Sequence, residues 1–211
     1  MALTAAAVVI AAAFAHREFL RPTPPVEQAG NRTTYFADWR QLLSAGRVMG
    51  DSSAPIKIIE FADFECPFCR TADSVLHLVQ QEFGSTIAVV FVHYPLHMHR
   101  FAEPAARAAE CAAAQGQFVA FHDLLYREQD SLGLKTWDEF AHEDGISDSS
   151  RFAECVRRRG GVAAVKVGLA AGQRLALRGT PTILVNGWRF DIPPNKQELD
   201  SAITSLRRRD R

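Results

Sequence analysis

The sequence predicts an α/β domain made of a βαβ unit, a block of helices, and then a β-hairpin with a closing helix. Three observations lead there. Two β-rich apolar runs, 56–61 and 86–94, flank a helix-like stretch over 70–83, and a crossover of that length makes the two strands parallel. The long stretch that follows carries apolar residues at helical spacing. Asn186-Gly187 then stands between two short apolar runs, the strongest local signal for a hairpin.

Taken in order, the folded part is expected to begin near Tyr35, with a short helix from Asp38 ending at Gly46 and a turn over 50–55. The run 56–61 is mostly apolar, as a strand buried on both faces should be. In 70–83, Val75, Leu76, Leu78 and Val79 supply an apolar face and Gly84 closes the helix. Pro104 suits the first turn of a helix over 105–114. Phe118, Phe121, Leu124 and Leu125 mark the next helix. Thr136 and Glu139 have the spacing of a capping box, opening a short helix that ends before Gly145. Asp148 can cap a helix running to Arg159, and 162–177 is a further helical run. Strands over 182–185 and 188–192 and a helix over 197–208 finish the chain.

The length of 211 residues suits one domain of ordinary size with an insertion, here at about 101–178. With 47% hydrophobic and 23% charged residues, collagen-like, coiled-coil, low-complexity and polytopic membrane classes are excluded. The 24 basic and 24 acidic residues cancel, so no global field favours nucleic acid as a partner. Residues 151–211 hold 13 Lys/Arg against 5 Asp/Glu. Much of that excess lies in the triplets Arg157 to Arg159 and Arg207 to Arg209, at helix ends where positive charge complements the dipole.

Residues 1–20 hold an uncharged, mostly apolar run from Ala2 to Ala15. Fourteen helical residues span about 21 Å, short of a bilayer core of roughly 30 Å. The run therefore reads as a signal peptide, with Ala13-Phe14-Ala15 as its cleavage site, or as a membrane anchor. Residues 21–34, with three prolines, read as a linker, and 35–211 as the domain. The expected location is extracytoplasmic.

Four cysteines are present, and Cys66-Pro67-Phe68-Cys69 follows the first strand and opens a helix. A cysteine at a helix N-terminus faces unpaired N–H groups and the positive end of the dipole, which stabilise its thiolate. Two intervening residues bring the second sulfur within disulfide reach. Cys66 is thus expected to be the exposed, attacking sulfur and Cys69 the buried, resolving one. The competing reading is a metallochaperone or metal-binding module that uses Cys66, Cys69 and the nearby His93, His97 and His99. No second CxxC exists to complete a zinc knuckle, and the redox reading carries no metal and no cofactor. Cys111 and Cys155 remain as a possible second pair or as two buried thiols.

The segment from Glu60 to Cys69, with Gly179-Thr180-Pro181-Thr182, resembles DsbA-like thiol:disulfide oxidoreductases of the thioredoxin superfamily over roughly 48–207. The resemblance implies a thioredoxin fold with a helical insertion. It implies that Pro181 is cis and that Thr180, Pro181, Pro67 and Phe68 bind substrate. It also implies that Glu60, six residues before Cys66, is a buried acid relaying a proton to Cys69, and that Cys111 and Cys155 form a structural disulfide. Asp63 and Glu65 are read as solvated loop residues, and His93, His97 and His99 as polar residues of a loop. Phe68 stands where the best-known oxidases have His, so an intermediate potential is expected. The function implied is disulfide introduction or exchange in reduced, unfolded protein substrates by a monomer that a membrane redox partner reoxidises. Isomerase or reductase activity is the alternative.

Overall fold

Six strands form one mixed sheet in the order β1-β6-β5-β3-β4-β2. They are β1 (Thr33–Tyr35), β2 (Arg47–Gly50), β3 (Ile56–Ala62), β4 (Ile87–His93), β5 (Thr182–Val185) and β6 (Trp188–Phe190). The computed structural model describes residues 32–209. The segment read as signal or anchor, and most of the linker, lie outside them.

The βαβ unit is present: β3 and β4 are parallel, from Ile56 opposite Ile87 to Ala62 opposite His93. Helix α1 (Pro67–Phe83) makes the crossover, and Gly84, at φ 51°, ends it. β5 runs antiparallel to β3 on the other side. The hairpin turns on Asn186 and Gly187, both at positive φ (44° and 90°), as a type I′ turn requires. Asn186 Oδ1 also accepts from the Lys57 N–H at 2.8 Å, locking the hairpin to β3.

The insertion holds α2 (Ala102–Ala113), α3 (Phe118–Arg127), α4 (Trp137–Glu143), α5 (Ser149–Arg157) and α6 (Val162–Arg174), and α7 (Lys196–Arg209) closes the chain. The capping box of Thr136 and Glu139 forms, and Asp148 accepts from the Arg151 N–H. Helix α2 starts three residues earlier than its pattern suggests, and α6 ends three residues sooner. Cys111 and Cys155 are joined, tying α2 to α5 across 44 residues. Closing a loop of that length contributes at most about 4 kcal/mol through the unfolded chain.

The central strands alternate faithfully. Ile56, Ile58, Val89, Phe91, Ile183 and Val185 face a core shared with α1, α7 and the insertion. Ile59, Phe61, Val90, Val92 and Leu184 face a second core under the 3₁₀ helix Trp39–Ala45 and α6. Burial on both faces explains why β3 and β4 read as continuous apolar runs.

Two strands are additions to the sequence reading. β1 pairs with β6 from Thr33 onward, so regular structure starts inside the segment read as linker. β2 pairs antiparallel with β4 at the opposite edge. Only Met49 of its four residues is buried, which is too short a pattern to show alternation.

Candidate active site

The site forms where β3 ends. Cys66 takes an extended conformation at the N-cap of α1 and Pro67 occupies the first turn, which fixes the helix start and costs no hydrogen bond. The Cys66 N–H donates to Asp63 O and the Cys69 N–H to Cys66 O. Both cysteines are thiols. Cys69 has no exposure and Cys66 only 3%, while Phe68 between them is 72% exposed. Both sulfurs are buried, so Cys66 is not the exposed sulfur that a place at a helix tip led one to expect. The reason is the loop opposite: the Cys66 thiol donates to Thr180 O at 3.4 Å, and Thr180–Pro181 is a cis peptide.

The two sulfurs have opposite electrostatics. The Cys69 thiol, donating to Cys66, is the largest cause that brings Cys66 down to about 5; burial opposes it, and the Thr180 hydroxyl and the Cys69 and Phe68 N–H groups add to it. The Thr180 hydroxyl oxygen has no hydrogen-bond partner among the described residues, so its hydrogen is available to a thiolate at Cys66. Burial, followed by the Cys66 interaction and the charge of Glu60, pushes Cys69 far above the ordinary thiol range. Thr180→Val should accordingly raise the Cys66 pKa by about one to two units, since a hydrogen bond to a charged group is worth about 1.5–3 kcal/mol. Ultraviolet titration of the thiolate reads this, and an unchanged titration would show that the hydroxyl does not reach the sulfur.

Glu60 lies on the α1 face of β3 and is fully buried. Neither of its carboxyl oxygens has a hydrogen-bond partner among the described residues. Burial, then the charges of Asp73 and Cys66, hold its pKa well above the carboxylate range. Glu60 is therefore an interior acid and not a solvent-facing residue at the strand's edge. Tyr126, from the insertion, is buried beside the same groups, and its hydroxyl is likewise without a partner among the described residues.

Asp63 and Glu65 are corrections to the sequence reading. Asp63 is 2% exposed. Its Oδ1 accepts from the Glu65 N–H, and its Oδ2 accepts from the Leu96 N–H and meets His99 Nδ1 at 2.7 Å. Glu65 accepts from the Phe101 N–H. The two acids clamp the loop after β4 onto the turn that carries the motif. Burial pulls His99 down, but the hydrogen bond from His99 to Asp63 and the charges of Asp63 and Cys66 outweigh it and raise its pKa. The cationic form of His99 is thereby favoured within electrostatic reach of Cys66, although Phe68 occupies the place inside the motif.

His93 is not a loop residue but the buried last residue of β4. Its Nε2 meets Glu110 Oε1 at 3.1 Å, and Arg47 Nε donates to the same oxygen at 2.9 Å. Burial works against ionising Glu110, but these bonds outweigh it and hold it at about 2. His93 and His99 thus each give one ring nitrogen to a carboxylate. Gln129, which sequence reasoning missed, donates from the insertion to Phe64 O at 2.7 Å and Cys66 O at 3.0 Å. No sequence pattern marks it, because its two acceptors are backbone carbonyls more than 60 residues away.

A cleft of about 1140 Å³ opens beside the motif, lined by Phe68, Ala72, Val75, Thr180, Pro181 and Phe190 among others.

Known proteins share this fold. BdbD from Bacillus subtilis superposes with a TM-score of 0.69 at 22% identity, over 78% of this chain and 95% of that one. DsbA from Chlamydia trachomatis superposes at 0.65 and 18% identity, over 90% and 98%. Among curated proteins, the chain is 36% identical over 159 residues to the Na(+)/H(+) antiporter NhaA 3 of Salinispora tropica, and 35% over 164 residues to NhaA 1 of Mycolicibacterium vanbaalenii. These matches cover 75% and 76% of this chain. It spans only about a quarter of those antiporters' length, 24% and 26%. Residues 43–205 match the family described as Thioredoxin. With that match over most of its length, and with the sheet, crossover helix and motif placed as above, the chain belongs to the thioredoxin family.

Proposed function

We propose that the protein is a DsbA-like thiol:disulfide oxidoreductase that works outside the cytoplasm, in the oxidising direction. The observation that carries this reading is the asymmetry of the motif: a Cys66 thiolate stabilised down to about 5 beside a buried Cys69 held as a thiol. A substrate thiolate attacks Cys66 Sγ of the oxidised pair, and the Cys66–Cys69 bond breaks. The electron pair leaves on Cys69, which takes a proton. A second substrate thiolate then attacks the substrate sulfur of the mixed disulfide and expels Cys66 as thiolate. The substrate loses two electrons and the protein gains them, so a membrane redox partner must withdraw them. Cys66, Cys69 and Glu60 carry the chemistry. Thr180, Pro181, Pro67 and Phe68 hold an extended, reduced protein substrate along the cleft. The likeness between this chain and a quarter of each of two antiporters supports work at a membrane face.

A stabilised thiolate favours the reduced protein and so makes the pair more oxidising. A value near 5 lies between those of thioredoxin, about 7, and DsbA, about 3.5. The potential of the Cys66/Cys69 pair is therefore expected between about −270 and about −120 mV. Equilibration with glutathione measures it. A value at or below that of thioredoxin would overturn the oxidising direction and leave reductase activity.

A further inference from the structure

The loop after β4 is joined to the motif through one residue. Asp63, in the turn between β3 and α1, has a side chain with no exposure. Its backbone oxygen accepts from the Cys66 N–H at 3.1 Å. Its carboxyl group accepts from the Glu65 and Leu96 N–H groups, each at 2.8 Å, and meets His99 Nδ1 at 2.7 Å. The last contact is at the short end of the hydrogen-bond range, where charge-assisted bonds fall. His99 thus stands two hydrogen bonds from the backbone of the attacking cysteine. Its side chain keeps 22% exposure, so solvent can deliver or remove its proton.

The other charged groups around His99 are accounted for. Glu65 accepts from the Phe101 N–H. On the same loop, Arg100 lies over the Phe101 ring, 5.3 Å from its centroid, and His97 is exposed. Burial disfavours the cation at His99, and the bond to Asp63 with the charges of Asp63, Cys66 and Glu65 outweighs it. Asp63 and Glu65 are there in both redox states of the motif. Cys66 changes: it is a thiolate in the reduced protein and half of a neutral disulfide in the oxidised one. Phe68 leaves the motif itself without a side-chain cation.

We propose that His99 is a positioning residue that ties the redox state of the motif to a proton: as the imidazolium partner of Asp63 it stabilises the Cys66 thiolate, and reduction of the disulfide draws a proton from solvent onto its ring. Two substrate thiolates supply the two electrons. The Cys66–Cys69 bond breaks, Cys69 takes one proton, and Cys66 keeps the negative charge that favours a second proton at His99. The coupling is reciprocal, so the thiolate raises the histidine by as much as the cation lowers the thiol. The inference rests on reading Cys66 and Cys69 as the redox pair, and it makes the pair more oxidising on the acid side of the His99 titration.

The experiment follows the ring protons of His99 by NMR between about pH 5 and 9 in the full chain, reduced with dithiothreitol or oxidised with diamide. Comparison with His99→Gln picks its signal from those of the seven histidines. His99 should titrate about half a unit to one unit higher in the reduced protein, a three- to tenfold coupling. In Cys66→Ser, which has no thiolate there, the reduced protein should give the oxidised value. Equilibration with glutathione supplies the second readout. With Cys66 ionised and Cys69 protonated, each pair reduced by glutathione releases one proton, so the constant should rise tenfold per pH unit between about 5 and 8.5. Proton uptake at His99 flattens that slope across its titration. His99→Gln, which can still donate to Asp63 but carries no charge, should restore the full slope and raise the Cys66 pKa by the same half to one unit. Equal His99 titration in both redox states overturns the inference, as does a reduced Cys66→Ser protein that keeps the raised value. Both results leave the oxidoreductase reading standing, because the redox states are set chemically and no substrate is used. A motif that forms no disulfide between Cys66 and Cys69 removes that reading and this inference together.

Discussion

Cys69→Ser is expected to accumulate as mixed disulfides with protein substrates through Cys66, while Cys66→Ser accumulates almost none and both lose turnover. The reason is the split between the two sulfurs. With its pKa near 5, Cys66 is almost entirely thiolate at neutral pH, and thiolate is the attacking species. Cys69 is pushed up by burial and by Glu60 and has no solvent contact. Its thiolate fraction falls tenfold for each unit its pKa stands above the ambient pH, so the yield of adduct from the two variants should differ by on the order of tenfold or more. Non-reducing electrophoresis with mass mapping of the linked peptides decides it, and equal trapping by both would sink the assignment of roles. A pH signature accompanies the lowered value. The folded pKa of Cys66 lies below its unfolded value of about 8.5. Its contribution to the stability of the reduced protein is therefore complete above about 8.5 and is lost as pH falls through about 5.

The parts of the site that were legible in the sequence are those whose chemistry is local in the chain. Cys66 and Cys69 could be placed because the strand, the turn, Pro67 and the helix lie within a dozen residues. Glu60 came through family resemblance, on its place six residues before Cys66, and a strand buried on both faces gives it an interior position. Thr180 and Pro181 came through family resemblance, since nothing near them in the sequence points to Cys66. What was illegible depends on side chains meeting across the fold. Asp63 and Glu65 look like solvated acids beside a motif until the loop after β4 folds back and presents N–H groups to them. His93 looks like one of three loop histidines until Arg47 and Glu110 are brought to it from an edge strand and a helix. Gln129 donates to carbonyls that any sequence would supply. The edge strands β1 and β2, three and four residues long, are held by pairing with longer neighbours rather than by a pattern of their own.

Glu60→Gln is expected to slow the step in which Cys69 departs or attacks, by about 10²–10⁴-fold near neutral pH, and to leave the first encounter at Cys66 nearly unchanged. When a substrate thiolate breaks the Cys66–Cys69 bond, the electron pair lands on a sulfur that has no exposure and a strongly raised pKa. A proton must arrive with it. Glu60 is a buried carboxyl that burial and the charges of Asp73 and Cys66 keep protonated beyond the usual range, and its charge is among the causes that raise Cys69. The neutral acid can donate, the carboxylate can take the proton back on reoxidation, and glutamine of the same shape can do neither. Stability should move the opposite way from rate. A carboxyl whose folded pKa is raised above 4.5 makes its full contribution below that value and loses it as pH rises through the folded pKa. The substitution removes this loss, so the melting temperature of Glu60→Gln relative to wild type should climb from acid to neutral pH. Stopped-flow kinetics of both half-reactions between about pH 5 and 9, alongside melting curves, separate the two effects. Superimposable rate profiles would make Glu60 a buried bystander and leave the proton to Tyr126 or solvent.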